Sequence, residues 1–479
     1  MASYLGALGQ PSFPGRAGDL LGSTPGAQPA TVGTATTEVP WTPPQVVAVI
    51  GMVTMGFNDV LVAGQRVSDL IFVAAALVLG LMMLGGERRR IAPTAVRQTP
   101  RLHLMGSLVF LTFGVLTSFW SLNVFSSAAE VTRYGWVLLG WSWFLRAITI
   151  DRVVIARLVT AFKITVLINC GGAILGSMGV VDLSSGGLHG DRQTAFYNHP
   201  NQLGLILAIA LPIFVLDVPR RSADRKPASP WTRLVLSGIV LVALGTTGSM
   251  GGLMGGVAGV GVALFLARGA TPANRRRFRP VSVMAMIAIG AFAVVTFIES
   301  DSPVIERITK YGEGDAGVNT SVNTRKQFAE FAIGRIGDSM IVGVGLDKES
   351  AFEYTTQRDG LNHNMYLSVL YTAGLPALVG LLLILLAAFR YALDVIRASR
   401  STELHPLAAA LAAGLVAGAV ASMSAPTSSE RSFWFPVVML GAIWAWRRRE
   451  LWIADRSALA RSHPPDYTAS AHGPSVRRT

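Results

Sequence analysis

Twelve apolar runs of bilayer length, or slightly less, divide this chain between residues 45 and 447, and they constrain its fold more than any other feature. They fall at roughly 45–63, 67–85, 104–121, 129–148, 158–181, 201–218, 234–248, 251–267, 281–298, 364–389, 406–424 and 433–447. About 20 apolar residues in helical form cross the ~30 Å hydrocarbon core of a membrane. Inside that core, only structures that satisfy their own backbone hydrogen bonds survive. The runs therefore predict an all-α polytopic membrane protein with about 12 transmembrane helices. Only 14% of the residues are charged, against about 25% in a soluble domain. The mean hydropathy is +0.47.

A net charge of +13 on a soluble chain would suggest a nucleic-acid partner. Here the arginines sit in short clusters between apolar runs, which is how orientation in a membrane is encoded, so no nucleic-acid partner is expected. With the N-terminus cytoplasmic, 29 of the 41 Lys/Arg fall on the cytoplasmic side. Among them are Arg88, Arg89 and Arg90; Arg220, Arg221 and Arg225; and Arg275, Arg276 and Arg277. Eleven lie outside or at outer ends of runs, and Lys163 lies within the fifth. Both termini are thus expected in the cytoplasm. Residues 1–43 and 448–479 read as disordered cytoplasmic tails, 44–298 as spans one to nine, 299–362 as a large extracytoplasmic loop, and 363–447 as spans ten to twelve. The N-terminal tail lacks the basic start and apolar core of a signal peptide.

No soluble-enzyme motif is present: there is no Walker loop, HExxH, CxxC or GxSxG. The lone Cys170, inside an apolar run, allows no intramolecular disulfide and no cysteine-based metal cluster. Glycines from Gly251 to Gly261 suit small-residue helix packing, since no strand precedes them. The stretch from Thr246 to Gly252 fits either a tight outer turn or one bent helix.

Three segments are expected on the outer face: 182–200, the turn near 250, and the 299–362 loop. Long loops that carry charge are commonly functional. This one holds seven Lys/Arg, an amphipathic pattern from Arg325 to Ile336, and a turn at Gly343-Val344-Gly345. It ends at Asn362-His363-Asn364, beside the tenth span. His363 reads as either a solvated interfacial histidine or a general base, a role open to a neutral imidazole near pH 7. The amides of Asn362 and Asn364 are placed to fix its tautomer. Arg192 and Arg325 read either as arginines snorkelling to lipid head groups or as planar forks gripping a diphosphate.

Four stretches resemble the O-antigen ligase and O-antigen polymerase superfamily of bacterial membrane glycosyltransferases. They are Arg192-x-x-x-Phe196-x-Asn198-x-Pro200-Asn201, the Arg325 segment ending in Asp338 to Gly345, His363-Asn364-x-x-Leu367, and Gly374-Leu375-Pro376. The resemblance implies a glycosyltransferase C-like fold in the bacterial cytoplasmic (inner) membrane, with an active site facing outward. It implies metal-independent transfer of a glycan from a polyprenyl diphosphate carrier to a hydroxyl of a glycan or lipid-glycan acceptor. No cofactor is implied. His363 would be the base, Arg192 and Arg325 would hold the diphosphate, and Asn364 and Asn201 would belong to the substrate-binding set. Attack opposite the leaving group would invert the anomeric centre. One departure is Ser249-Met250, where many relatives have Ser-Arg. The alternative is a secondary transporter for a small anion such as bicarbonate. Against it, the large loop follows span nine rather than six, and no six-plus-six repeat is visible.

Overall fold

The computed structural model describes residues 41–57, 61–62, 65–84, 101–149, 151–181, 183, 192–216, 229–267, 330, 333–334, 341–347, 364–399, 404–425 and 427–462. The described part is helical, apart from a two-residue antiparallel ladder that pairs Leu61–Val62 (β1) with Gln65–Arg66 (β2). In chain order the helices are α1 (Pro43–Thr54), α2 (Val67–Leu84), α3 (Arg101–Ser118), α4 (Val124–Gly135), a π-helical segment (Trp136–Trp141), α5 (Ser142–Ile148), α6 (Arg152–Ser177), α7 (Pro200–Val215), α8 (Pro230–Thr246), α9 (Met250–Ala267), α10 (Met365–Ala398), α11 (Leu404–Ala421) and α12 (Arg431–Ser462).

Six of these, α2, α3, α6, α9, α10 and α11, are long and apolar enough to cross a membrane. Eleven of the twelve apolar runs carry helix, and the ninth, 281–298, lies outside the described residues. The first run is not one continuous helix. After 12 helical residues, about 18 Å of rise, it turns into the β1–β2 ladder. At the other end, α12 continues to Ser462, past residue 447 where the tail was expected to begin.

The helix starts follow from local sequence. Asp151 accepts a hydrogen bond from Val154 N at 2.9 Å, and Ser229 accepts one from Thr232 N at 3.1 Å ahead of Pro230. Both satisfy amides that have no partner inside the helix. Packing follows the small residues. α11 is buried nearly all round, as a uniformly apolar helix must be. One face of α9 carries Gly251, Gly255 and Gly259, and a Cβ at any of them would collide with Ser424 or with α11. Gly252 meets the backbone of Gly204 on α7 in the same way, and Gly106 of α3 meets Gly380 of α10. The glycines thus serve close helix packing, as the sequence suggested. The stretch 246–252 is the tight turn, with α8 ending at Thr246 and Gly248 at φ +55°.

The tenth run is interrupted rather than continuous. Gly374 has φ +84° and ψ 171°, a conformation open essentially only to glycine. That break and Pro376, which has no N–H, release the carbonyls of Tyr371 and Thr372 from their helical donors. The glycine turn fills the gap: Val344 N donates to Tyr371 O at 3.1 Å and Gly345 N to Thr372 O at 3.0 Å. Gly343 and Gly345 have φ +66° and +122°. The turn is also gripped by the α3–α4 connection, where Trp120 Nε1 donates to Gly343 O at 2.9 Å and Ser121 Oγ donates to buried Asp347.

Hydrogen bonds sort the helix ends into two sets. One gathers the α3–α4 connection, the starts of α2, α7, α9, α10 and α12, the α8–α9 turn and the α11–α12 connection. The other gathers the start of α1 with the end of α5, and the end of α10 with α12. The first set contains the ends that the charge distribution assigns to the outer face.

Candidate active site

Arg192 is half-buried just ahead of α7. Its Nε donates to Thr247 O at 2.9 Å and one terminal nitrogen donates to Asn201 Oδ1 at 3.0 Å. The first partner ends α8 and the second lies in the first turn of α7, so two helix termini fix the plane of the guanidinium. Gln193 N adds a bond to Thr246 O at 3.2 Å. His199 caps α7, its Nδ1 accepting from Asn201 N at 3.0 Å, which places the ring proton of the neutral tautomer on Nε2. Pro200 occupies the first helical position, where no N–H is needed.

The α8–α9 turn closes over this seat. Ser249 Oγ accepts from Gly252 N at 3.2 Å, while the Ser249 side chain packs against Gly204. Met250 is the first residue of α9. From here the path to α10 is short. Gly251 packs on Ser424 in the α11–α12 connection, and Ser422 O in the same connection accepts from Met365 N at 2.9 Å. Asn364 caps α10, its Oδ1 accepting from Tyr366 N at 3.0 Å and Leu367 N at 3.2 Å. Arg192, Asn201 and Asn364 therefore share one end of the bundle, linked through the start of α9 and the α11–α12 connection.

Residues 232–382 match the O-antigen ligase family model. The superfamily resemblance seen in the sequence stands on this match. The matched segment is less than half of the 479-residue chain. It includes α8, α9, the Gly343–Gly345 turn and the first part of α10, and positions 250, 325, 363 and 364, but stops short of Arg192 and Asn201. No curated protein matches the chain. The match and the apolar helices together suggest a multi-pass membrane protein with ligase- or polymerase-like activity on lipid-linked glycans. Neither supports the transporter alternative.

Of the O-antigen ligase-like site predicted from sequence, Arg192, Asn201 and Asn364 fall within the described residues, while Arg325 and His363 lie outside them. Asn201 turns out to orient Arg192, and Asn364 to begin α10. Cys170 is free and buried. Among the described residues no group of three or more His, Cys, Asp or Glu could hold a metal ion.

The structure also brings together residues that sequence reasoning did not single out. Glu430, 2% exposed, takes Arg66 at 3.1 Å and Gln202 Nε2 at 2.9 Å on one carboxylate oxygen. Its neighbour Arg431 makes a two-point bond to Asp69, at 2.5 and 2.7 Å. Burial lowers the pKa of the Arg66 guanidinium, but the Glu430 and Asp69 carboxylates outweigh it and the net direction is up. Burial, then Glu430, pushes the nearby Tyr197 phenol far above its ordinary value. The available signal was sign alternation: Arg66 and Asp69 open one apolar run, and Glu430 and Arg431 open another. Charges at such positions seek partners.

Proposed function

We propose that this chain transfers a glycan from a polyprenyl diphosphate carrier to an acceptor hydroxyl at the outer face of the bacterial cytoplasmic membrane, as a ligase or polymerase of cell-surface polysaccharide. In this reading the chain crosses twelve times with both termini inside, and the Arg192 end of the bundle faces outward; the clustering of Lys/Arg between the apolar runs supports it. The observation that carries the reading is the seat of Arg192. A guanidinium held in one plane by a helix-terminal carbonyl and by Asn201 is a preorganised fork for two phosphate oxygens. It sits in the same end assembly as the start of α10, where His363 directly precedes Asn364.

In this reading His363 takes the proton of the acceptor hydroxyl. The acceptor oxygen forms a bond to the anomeric carbon while the bond from that carbon to the diphosphate oxygen breaks. The electron pair leaves with the polyprenyl diphosphate, whose growing charge Arg192 and Arg325 neutralise. Attack from the face opposite the leaving group inverts the anomeric centre, and no metal is required. Met250, at the start of α9, stands where many relatives have an arginine, so that part of the task is either missing here or taken by a neighbour such as Arg335 or Arg133.

Two substitutions test the reading in membranes that contain the source cell's own lipid-linked glycan. His363→Ala should abolish detectable transfer, since general-base assistance is worth roughly 10² to 10⁴ in rate. Arg192→Lys keeps the charge but loses the fork, and should cost about tenfold or more. Full activity in both variants would refute the proposal.

A further inference from the structure

We infer that Glu430 is a positioning residue for this transfer: its carboxylate holds the arm carrying Arg192, and its backbone amide joins it to the connection that pins the arm beginning at Asn364, directly after His363 in sequence. The inference rests on the function proposed above. Towards the first arm, Glu430 accepts from Gln202 Nε2 at 2.9 Å. Gln202 follows Asn201, the residue that orients Arg192, in the opening turn of α7. Towards the second arm, Glu430 N donates to Thr427 O at 2.9 Å. The Thr427 hydroxyl bonds to the Ser422 hydroxyl and lies 3.6 Å from Met365 Sδ. Ser422 O then receives Met365 N at 2.9 Å, and Tyr366 OH donates to Ala419 O at 3.0 Å. The first residues of α10 are therefore pinned to the α11–α12 connection by backbone and side chain alike.

The charges around Glu430 explain how the connection holds both arms in register. Arg66 braces the carboxylate and also donates to Ser429 O at 3.1 Å. Asp69 braces Arg431, which donates to the same Ser429 carbonyl at 3.0 Å. The last residue of the connection, Glu430, and the first of α12, Arg431, thus engage two oppositely charged residues flanking the start of α2. Buried ion pairs contribute little net stability compared with well-packed apolar side chains of the same volume, so their use here favours a geometric role.

The test uses two variants that leave all four charges in place. Gln202→Met removes the Glu430 bond to α7 while leaving the ion pairs of Glu430 and Arg431 in place. Thr427→Val removes only the hydroxyl between the connection and α10. Each is measured as full-length protein in membranes, with the source cell's lipid-linked glycan as donor and with glycan-free polyprenyl diphosphate as a binding probe. Gln202→Met should raise KM for donor and weaken probe binding, each roughly tenfold or more, with kcat nearly unchanged. Thr427→Val should lower kcat by a similar factor and leave KM and probe binding near wild type, because sub-ångström displacement of a reacting group acts on rate. A purely structural Glu430 would give no such division. Equal loss in both parameters for both variants, or wild-type values throughout, overturns the inference. Arg192→Lys and His363→Ala run alongside: if they transfer normally, the proposed function itself has failed. If they are inactive while the two arm variants behave as wild type, only the role of Glu430 falls.

Discussion

Replacing Gly374 by alanine should release the glycine turn from α10 without unfolding the bundle. The structure sets the size of the effect. A Cβ at this position would lie 2.5 Å from Ile341 O and 2.8 Å from the Ile341 carbonyl carbon, on a backbone at φ +84°. A non-glycine residue held in that region costs on the order of 1–3 kcal/mol, and the carbonyl cannot swing aside as a side-chain tip could. The cheapest escape is for residues 341–345 to move off, giving up the bonds from Val344 N and Gly345 N to Tyr371 O and Thr372 O. With 1.36 kcal/mol to each factor of ten, local opening should become about 5- to 160-fold more frequent. Hydrogen exchange followed by mass spectrometry on peptides covering 341–347 reads this directly. Gly238→Ala in α8 is the control, because a Cβ there meets nothing within 4 Å. Its exchange should be unchanged, or slightly slower. If Gly374→Ala leaves exchange at Val344 and Gly345 as in wild type, the account of the break as a glycine-dependent docking site is wrong.

Transfer should decline as pH falls through the imidazole range, because only neutral His363 can accept the acceptor's proton. The low-pH limb of kcat/KM should drop about tenfold per pH unit, and a flat profile there would exclude the base. His199→Ala should raise the donor KM several-fold by removing the cap of α7, worth about 1 kcal/mol. His199→Asn, a good capping residue, should largely restore it, and a dead Asn variant would point to chemistry at His199 instead. Single cysteines at Ser350 or Thr356, in a Cys170→Ser background, should label with an impermeant thiol reagent in whole cells whose outer layer is permeable. Labelling only after lysis would reverse the proposed orientation.

Hydropathy alone carried the helical architecture, because apolar runs of this length have few other outcomes. The spacing of Gly251, Gly255 and Gly259 marked the packing face of α9, since i, i+4 glycines can serve only a close neighbour. The break in α10 was visible as Gly374-Leu375-Pro376, but the apolar character of the run continues across it, and no hydropathy window registers a change of backbone angle. Arg192 and Asn201 were legible as residue types in a local motif. That Asn201 holds Arg192 depends on a helix start folding back nine positions. The Glu430 cluster was beyond reach for a different reason. Its partners are 364 and 228 positions apart in sequence, and each taken singly is an ordinary charge at the edge of an apolar run.

The interruption of α10 also divides the labour of that helix. From Leu375 to Phe389, the last residue of its apolar run, it rises about 22 Å at 1.5 Å per residue, short of the ~30 Å hydrocarbon thickness. The residues from Met365 to Ala373 therefore supply the rest of the apolar length. They form a short strut standing on the transmembrane rod, steadied at its base by the turn wedged into the break and at its tip by Ser422.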